Sequence, residues 1–294
     1  MGLRARIGES LFARVSGPDG VANRARIHGA PGERWFAAGS PVQRVHGDAS
    51  MFVGGLRALL LQTLHPAVMT AVARHSDFRE DPWGRLARTS TFLAEMAFAA
   101  DGDAQAAVDR VRYVHERIRG RTAGGQPYRA DDPHLLLWVH VAGTDSFLRA
   151  QQRFGQRPLH AAGADEYVRQ AGVVARALGA TDVPTTVAEL DAAIERFRPE
   201  LGAGPDAAET VAFLVRNPAM PWTLRPAYAL LRRAAVASLP DWAVAELGLR
   251  VPGPARRRIA LAGGAFVTRV VRWVLGPDDA RRVARRPTAP AAHV

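Results

Sequence analysis

Three histidines occupy apolar helical patterns on three separate predicted helices: His65, His115 and His140. Imidazole is the commonest metal-binding side chain in proteins. A single histidine on a core-facing stripe is more often explained by a hydrogen bond to the backbone, because buried polar groups need a partner. Three such histidines favour a common partner instead. An iron ion or a haem group is the partner that we expect first.

The absence of cysteine restricts how a metal could be held. It excludes disulfides, iron–sulfur clusters, thiolate-ligated haem and cysteine-based zinc sites. The chain also lacks the His-Glu-x-x-His motif of zinc proteases and the Glu-x-x-His motif of ferritin-like di-iron proteins. P-loop, Gly-x-Gly-x-x-Gly and Gly-x-Ser-x-Gly patterns are missing as well. Hydrolase, kinase and dinucleotide-binding functions therefore lose their main support.

The residues that remain match the needs of a haem b pocket. A porphyrin requires a large apolar slot, an axial imidazole and cationic donors for its two propionates. Arg85, Arg88 and Arg112 are candidate donors. Arg85 and Thr89 are four residues apart and so share a helical face, which continues with Phe92 and Met96. This face combines a cation, a hydroxyl group and apolar surface.

The helices that must position these residues can be read from periodicity and capping signals. The composition, with 48% hydrophobic and 23% charged residues in 294, is typical of a folded globular protein. Apolar residues recur at helical spacing, and no useful period-2 alternation appears. We predict an all-α fold in one globular helical domain, with a haem pocket among the central helices. Its parts are an N-terminal arm (1–48), the helical domain (49–276) and a disordered tail (277–294).

Four helices are predicted around the histidines. The first covers 49–73, and Gly54-Gly55 and Pro66 should loosen or kink it. The second runs from Asp81-Pro82 to about residue 99. The third carries His115 and ends at Gly120, followed by a loop over 121–130. The fourth runs from Asp131-Asp132-Pro133 through Phe154 and carries His140. On this last helix, Asp145 and Ser146 predict a polar contact between helices.

The formal charge of +11 comes entirely from arginine, because the chain has no lysine. The arginines are spread along the sequence, with clusters only at 256–258 and 281–286. Scattered charge is typical of a solvated surface, so we predict no specific nucleic-acid partner. The first sixteen residues lack an apolar signal-peptide core. The longest apolar run, 260–275, is interrupted by two arginines, so we expect a cytoplasmic protein without an integral membrane span.

Several motifs together resemble a known family, the catalytic domain shared by bacterial rubber oxygenases (latex clearing proteins) and fungal oxygenases of the MpaB type. The resemblance is close over 47–159 and looser to about residue 240. Its members are all-helical haem b proteins. The motifs are Leu64-His65-Pro66, His75-Ser76-x-Phe78, Asp81-Pro82-Trp83-Gly84-Arg85-x-x-Arg88-Thr89, His115 with Gly120, Tyr128, and Trp138-Val139-His140.

The resemblance implies roles for particular residues. His115 matches the proximal haem ligand of the rubber oxygenases, and Arg85 and Thr89 match an Arg-x-x-x-Thr element beside the haem. In those enzymes a lysine before the threonine can occupy the distal iron position, and here that residue is Arg88. Arginine stays protonated and has no free lone pair, so Arg88 should not bind the iron in the way that this lysine does. A glutamate proposed as the catalytic base in the family has no counterpart, which argues against rubber-type cleavage.

We therefore expect a haem b (iron protoporphyrin IX) enzyme that oxidises a small apolar organic substrate, such as an alkene or a prenyl-like chain, with O2 or peroxide. His115 would ligate the iron, and His65 and Arg85 would act on the distal side together with Thr89. Arg88 would contribute to cofactor binding, and His140 would line the pocket. Two alternatives remain open: a haem-binding or gas-sensing protein without turnover, and a helical protein without a cofactor.

Overall fold

The computed structural model describes residues 3–76, 80–216 and 221–276. The chain is predominantly helical, as predicted, with a single pair of short strands among the described residues. The predicted tail, 277–294, lies outside the described residues, as do the arginines at 281–286. The α-helices are α1 (Leu3–Ser16), α2 (Gly20–Gly29), α3 (Pro41–His46), α4 (Met51–Gln62), α5 (Pro66–His75), α6 (Pro82–Phe98), α7 (Asp101–His115), α8 (Pro133–Phe154), α9 (Ala161–Leu178), α10 (Val187–Phe197), α11 (Pro205–Val211), α12 (Arg225–Ser238), α13 (Asp241–Glu246) and α14 (Pro254–Leu275).

Short irregular helices and one hairpin complete the described chain. Residues Arg198–Glu200 and Trp222–Leu224 form 3-10 turns, and Ala212–Arg216 forms a π-helical turn. Strands β1 (Arg119–Arg121) and β2 (Pro127–Arg129) pair antiparallel, with Gly120 opposite Tyr128.

Helix α8 is the centre of the fold, with α4 packed along it and α9 and α10 on its other sides. Its side chains are largely buried, and Trp138 is completely inaccessible. The close approach of α4 requires glycine, because a Cβ at Gly54 would lie 2.8 Å from the ring of Phe147. Helices α12 and α14 form a second pair, in which α12 packs on α4.

The helix predicted over 49–73, with a kink expected at Pro66, is two helices, α4 and α5, which meet at an angle of 107°. Pro66 opens α5 as its first residue, so His65 lies at the break rather than inside a helix. No single described helix is long and apolar enough to cross a membrane, although this bent pair reaches the required length and apolar composition together.

The helix that carries His115 ends at that residue instead of at Gly120. Gly120 belongs to β1, where a Cβ would lie 2.5 Å from the Tyr128 hydroxyl oxygen. The predicted loop over 121–130 is largely the turn and second strand of this hairpin. A three-residue strand is too short to produce a readable alternation, which is why periodicity missed it.

His46, at the end of α3, packs against the rings of Phe147 and Tyr167 at centroid distances of 5.2 and 6.0 Å. Its Nδ1 atom is buried without a hydrogen-bond partner. Burial lowers the pKa of His46 to about 4. The imidazole is therefore neutral in the folded protein at neutral pH.

This environment predicts a pH-dependent stability. The pKa of histidine in an unfolded chain is about 6.5. Below that pH the unfolded state binds a proton at His46 that the folded state does not bind. The free energy of unfolding therefore falls as the pH is lowered from about 6.5 to about 4. When the pH is lowered from 7 to 5, the free energy of unfolding should fall in both proteins. The fall should be about 2 kcal/mol smaller in a His46→Leu variant than in the wild type. Urea titrations at both pH values measure this difference. His160→Asn, at the exposed start of α9, is the control, and parallel losses in the His46 variant and the wild type would contradict the prediction.

Candidate functional site

The N-terminus of α6 fixes the Arg-x-x-x-Thr element. The Asp81 carboxylate accepts a hydrogen bond from the Gly84 amide at 2.8 Å, and Pro82 occupies the first helical position. This cap defines where the helix begins, and so sets the direction of Arg85 one turn later. The Arg85 guanidinium is partly buried and donates a hydrogen bond to the Ser76 hydroxyl group. Burial, together with repulsion from Arg88, lowers the pKa of Arg85.

Arg88 and Thr89 are more accessible than Arg85. The Arg88 side chain is 62% exposed and lies 3.4 Å from the Asp81 carboxylate, and Thr89 is exposed on the same helix. The predicted helical face of Arg85 and Thr89 continues into the core, because Phe92 packs on a buried cluster that contains Met96. The apolar end of this face is therefore buried in the core, while Thr89 is exposed to solvent.

His115 is the last residue of α7 and is partly buried. Its Nδ1 atom is buried and has no hydrogen-bond partner. Burial lowers the pKa of His115, and the negative charge of Asp131 opposes this effect. The ring is thus kept in the neutral form, which retains the lone pair that a metal ligand needs.

His140 lies in the middle of α8. The Thr144 hydroxyl group is 3.3 Å from its Nδ1 atom, while its Nε2 atom is buried without a partner. Burial lowers the pKa of His140 to about 4, with a smaller contribution from the positive charge of Arg176. This ring, too, is neutral at pH 7.

His65 lies in different surroundings from Arg85. Its ring is buried near Trp138 and Phe197, at centroid distances of 6.4 Å to each. His134 and Glu200 are its polar neighbours. Across the described part of the chain, no recorded side-chain contact joins His65, His115 and His140. Their common partner and the distal role of His65 stay predictions.

The family motif residues His75 and Tyr128 do meet. The His75 Nε2 atom is 3.2 Å from the hydroxyl oxygen of Tyr128, and Tyr128 in turn covers Gly120. This contact joins the end of α5 to the hairpin that follows His115. Tyr128 is itself buried.

A buried ion pair joins α4 to α8. Arg57 and Asp145 are 2% and 3% exposed, and their side chains lie 2.6 Å apart. Arg57 also donates to the Ser146 hydroxyl group at 2.8 Å, which confirms the predicted polar contact between helices. The pair opens onto a cleft of about 650 Å³ near Pro240 and Trp242. The sequence analysis did not identify Arg57, because an arginine on an apolar helix gives no signal of its partner.

Two further groups were missed by sequence reasoning. His134 and Glu200 contact each other and His65, although 66 residues separate them in the chain. His46 also has a buried nitrogen without a partner. Of the seven buried side-chain atoms without a partner among the described residues, five are imidazole nitrogens. Since buried polar atoms are nearly always paired, each of these nitrogens calls for a partner, such as an ordered water, a metal ion or a cofactor.

The residues that the motifs single out on α6 and α7 suit a haem group in their chemistry. A neutral imidazole with an unpartnered buried nitrogen is the donor that an axial ligand requires. Arg85 and Arg88 supply cations at the start of α6. Large aliphatic surface remains uncovered on the two helices, since Leu86 on α6 and Val114 on α7 are 39% and 51% exposed.

Comparison with known proteins identifies the family. The model of the ER-bound oxygenase mpaB/B' and rubber oxygenase catalytic domain matches residues 43–286. The chain therefore belongs to this family of oxygenase catalytic domains, as its motifs predicted. No curated protein and no solved structure matches it significantly.

Proposed function

We propose that this member of the oxygenase family is a haem b-dependent oxidoreductase that oxidises a small apolar organic substrate with dioxygen or peroxide. The observation that carries the proposal is His115: a neutral imidazole with a buried, unpartnered nitrogen at the motif position of the family's proximal ligand. When bound, haem iron supplies the binding and activation of the oxidant.

The protein residues hold the cofactor and control polarity around it. His115 would bind the iron through an imidazole nitrogen. Arg85 and Arg88 would pair with propionates, because a guanidinium remains charged and binds carboxylates in a bidentate manner. Arg88 cannot ligate iron, since it has no lone pair to offer.

Two other residues would act on the oxidant or substrate side. Thr89 would donate its exposed hydroxyl group to a polar atom of the cofactor or oxidant, while His140 would line the pocket with its unpartnered Nε2 atom. Leu86 and Val114 provide apolar surface of the kind that an alkene or prenyl-like chain would contact. We leave His65 out of this proposal, because its ring contacts His134 and Glu200.

The first test is the cofactor content of the protein itself. Protein expressed with a haem precursor should be red-brown, show a Soret band and give about one haem b per chain by pyridine haemochrome analysis. A colourless protein after supplementation would refute the haem proposal. An oxidised product from a chain-type alkene with dioxygen supports an enzyme, whereas haem-loaded protein that forms no product supports the haem-binding or sensing alternative.

A further inference from the structure

A second group of potential ligands lies apart from Arg85 and His115. His65, His134 and Glu200 each offer one nitrogen or oxygen atom, and these three atoms all lie within 4.8 Å of one another. Glu200 Oε2 is 2.8 Å from His134 Nε2 and 3.6 Å from His65 Nε2. Two imidazoles and one carboxylate form a ligand set that zinc and other first-row transition metals use in proteins.

The fold brings these residues together from three elements. His65 immediately precedes α5, and His134 lies in the first turn of α8. The Gly202 amide donates a hydrogen bond to the Leu64 carbonyl oxygen at 2.8 Å, which holds the turn that carries Glu200 against His65. The ring of Phe197 supports the site from α10, at a centroid distance of 4.6 Å from the His134 ring.

His65 gives an independent sign of a missing ligand. Its side chain is only 8% exposed, yet its Nδ1 atom has no hydrogen-bond partner and its Nε2 atom faces the Glu200 carboxylate at 3.6 Å, beyond hydrogen-bond distance. An unpaired buried polar group costs free energy, so it normally has a protein, water or ion partner. The other two side chains are accessible, with exposures of 52% for His134 and 44% for Glu200, so an ion can enter from solvent.

We propose that His65, His134 and Glu200 bind one divalent first-row transition-metal ion, with a water molecule in the remaining coordination position. Ligands bound tetrahedrally at about 2.1 Å lie roughly 3.4 Å apart, which is close to the separation between Glu200 and His65. Only the exposed side chains of His134 and Glu200 need to adjust. The ion fixes the start of α5, the start of α8 and the turn after α10 relative to one another.

Metal titration of the full-length protein tests this proposal. Chelator-treated protein is titrated with Zn²⁺ by calorimetry and with Co²⁺ by its visible ligand-field absorption. His134→Gln and Glu200→Gln remove one accessible ligand each and should leave the fold intact. Glu195→Gln is the matched control, because Glu195 is exposed on α10 and contacts Arg198 instead. Porphyrin iron contributes to neither zinc nor cobalt binding, so the result does not depend on the proposed haem function.

The expected result is one Zn²⁺ per chain, visible Co²⁺ absorption and a Zn²⁺-dependent rise in Tm in the wild type and in Glu195→Gln. Each ligand variant should bind Zn²⁺ about 100-fold more weakly and lose the Tm rise. The proposal is overturned if the wild type binds no Zn²⁺, or if the two ligand variants bind it as tightly as the control.

Discussion

Under the haem proposal, a His115→Ala variant is expected to bind far less haem than the wild-type protein. The methyl group of alanine cannot donate a lone pair to iron, so the cofactor would depend on apolar contacts and on the arginines that would pair with its propionates. His115 ends α7 and is only partly buried, so the fold should tolerate the change. Pyridine haemochrome analysis, with the haem content divided by protein concentration, measures the loss.

His140→Ala is the matched control for this variant. His140 also has a buried nitrogen without a partner and a neutral ring, but its Nδ1 atom already contacts Thr144. We expect this variant to retain its haem, with at most a shifted Soret band. Equal loss of haem in both variants would show that the assignment of the ligand to His115 is wrong. Circular dichroism spectra check that both variants remain helical.

The second large effect is expected at the buried ion pair between α4 and α8. Asp145→Ala would leave the buried Arg57 guanidinium without its carboxylate, with the Ser146 hydroxyl and the Ser238 carbonyl oxygen as its remaining hydrogen-bond partners. Removing one partner of a buried pair typically costs about 3–5 kcal/mol, because the remaining charge stays desolvated. The free energy of unfolding from urea titration should fall by this amount.

Arg149 provides the control for the Asp145 variant. It also contacts the Asp145 carboxylate, at 3.0 Å, but its side chain is 43% exposed and shares a second partner, Asp191. Arg149→Ala should cost less than about 1 kcal/mol, as is usual for exposed ion pairs. The double replacement of Arg57 by Met and Asp145 by Leu should recover stability, since it leaves no unpaired charge. Similar losses in the Asp145 and Arg149 variants would contradict this account.

Local signals determined much of the secondary structure. The Asp-Pro pairs at 81–82 and 132–133 place the starts of α6 and α8 where the structure has them, because an aspartate cap and a proline at the first helical position act within one turn. Apolar periodicity over the whole chain gave the all-α class. The motif set at 64–140 predicted the family that the family model identifies.

Contacts between residues far apart in the chain decided where the helix that carries His115 ends, which apolar periodicity could not predict. The third predicted helix stops at His115 because the following residues pair with β2, where Tyr128 packs over Gly120. Apolar spacing alone extends a helix through Ile118, since it contains no information about a partner strand.

The sequence by itself determined the fold class, the family and the chemical types available for a site. Only the tertiary structure decided which of those groups meet. The sequence predicts a disturbance at Pro66 but not where it directs His65, whereas the break there and the Gly202 hydrogen bond place the His65 ring beside His134 and Glu200. Helical propensity and capping depend on residues within a few positions, whereas a set of ligands depends on distances in space between residues far apart in the chain.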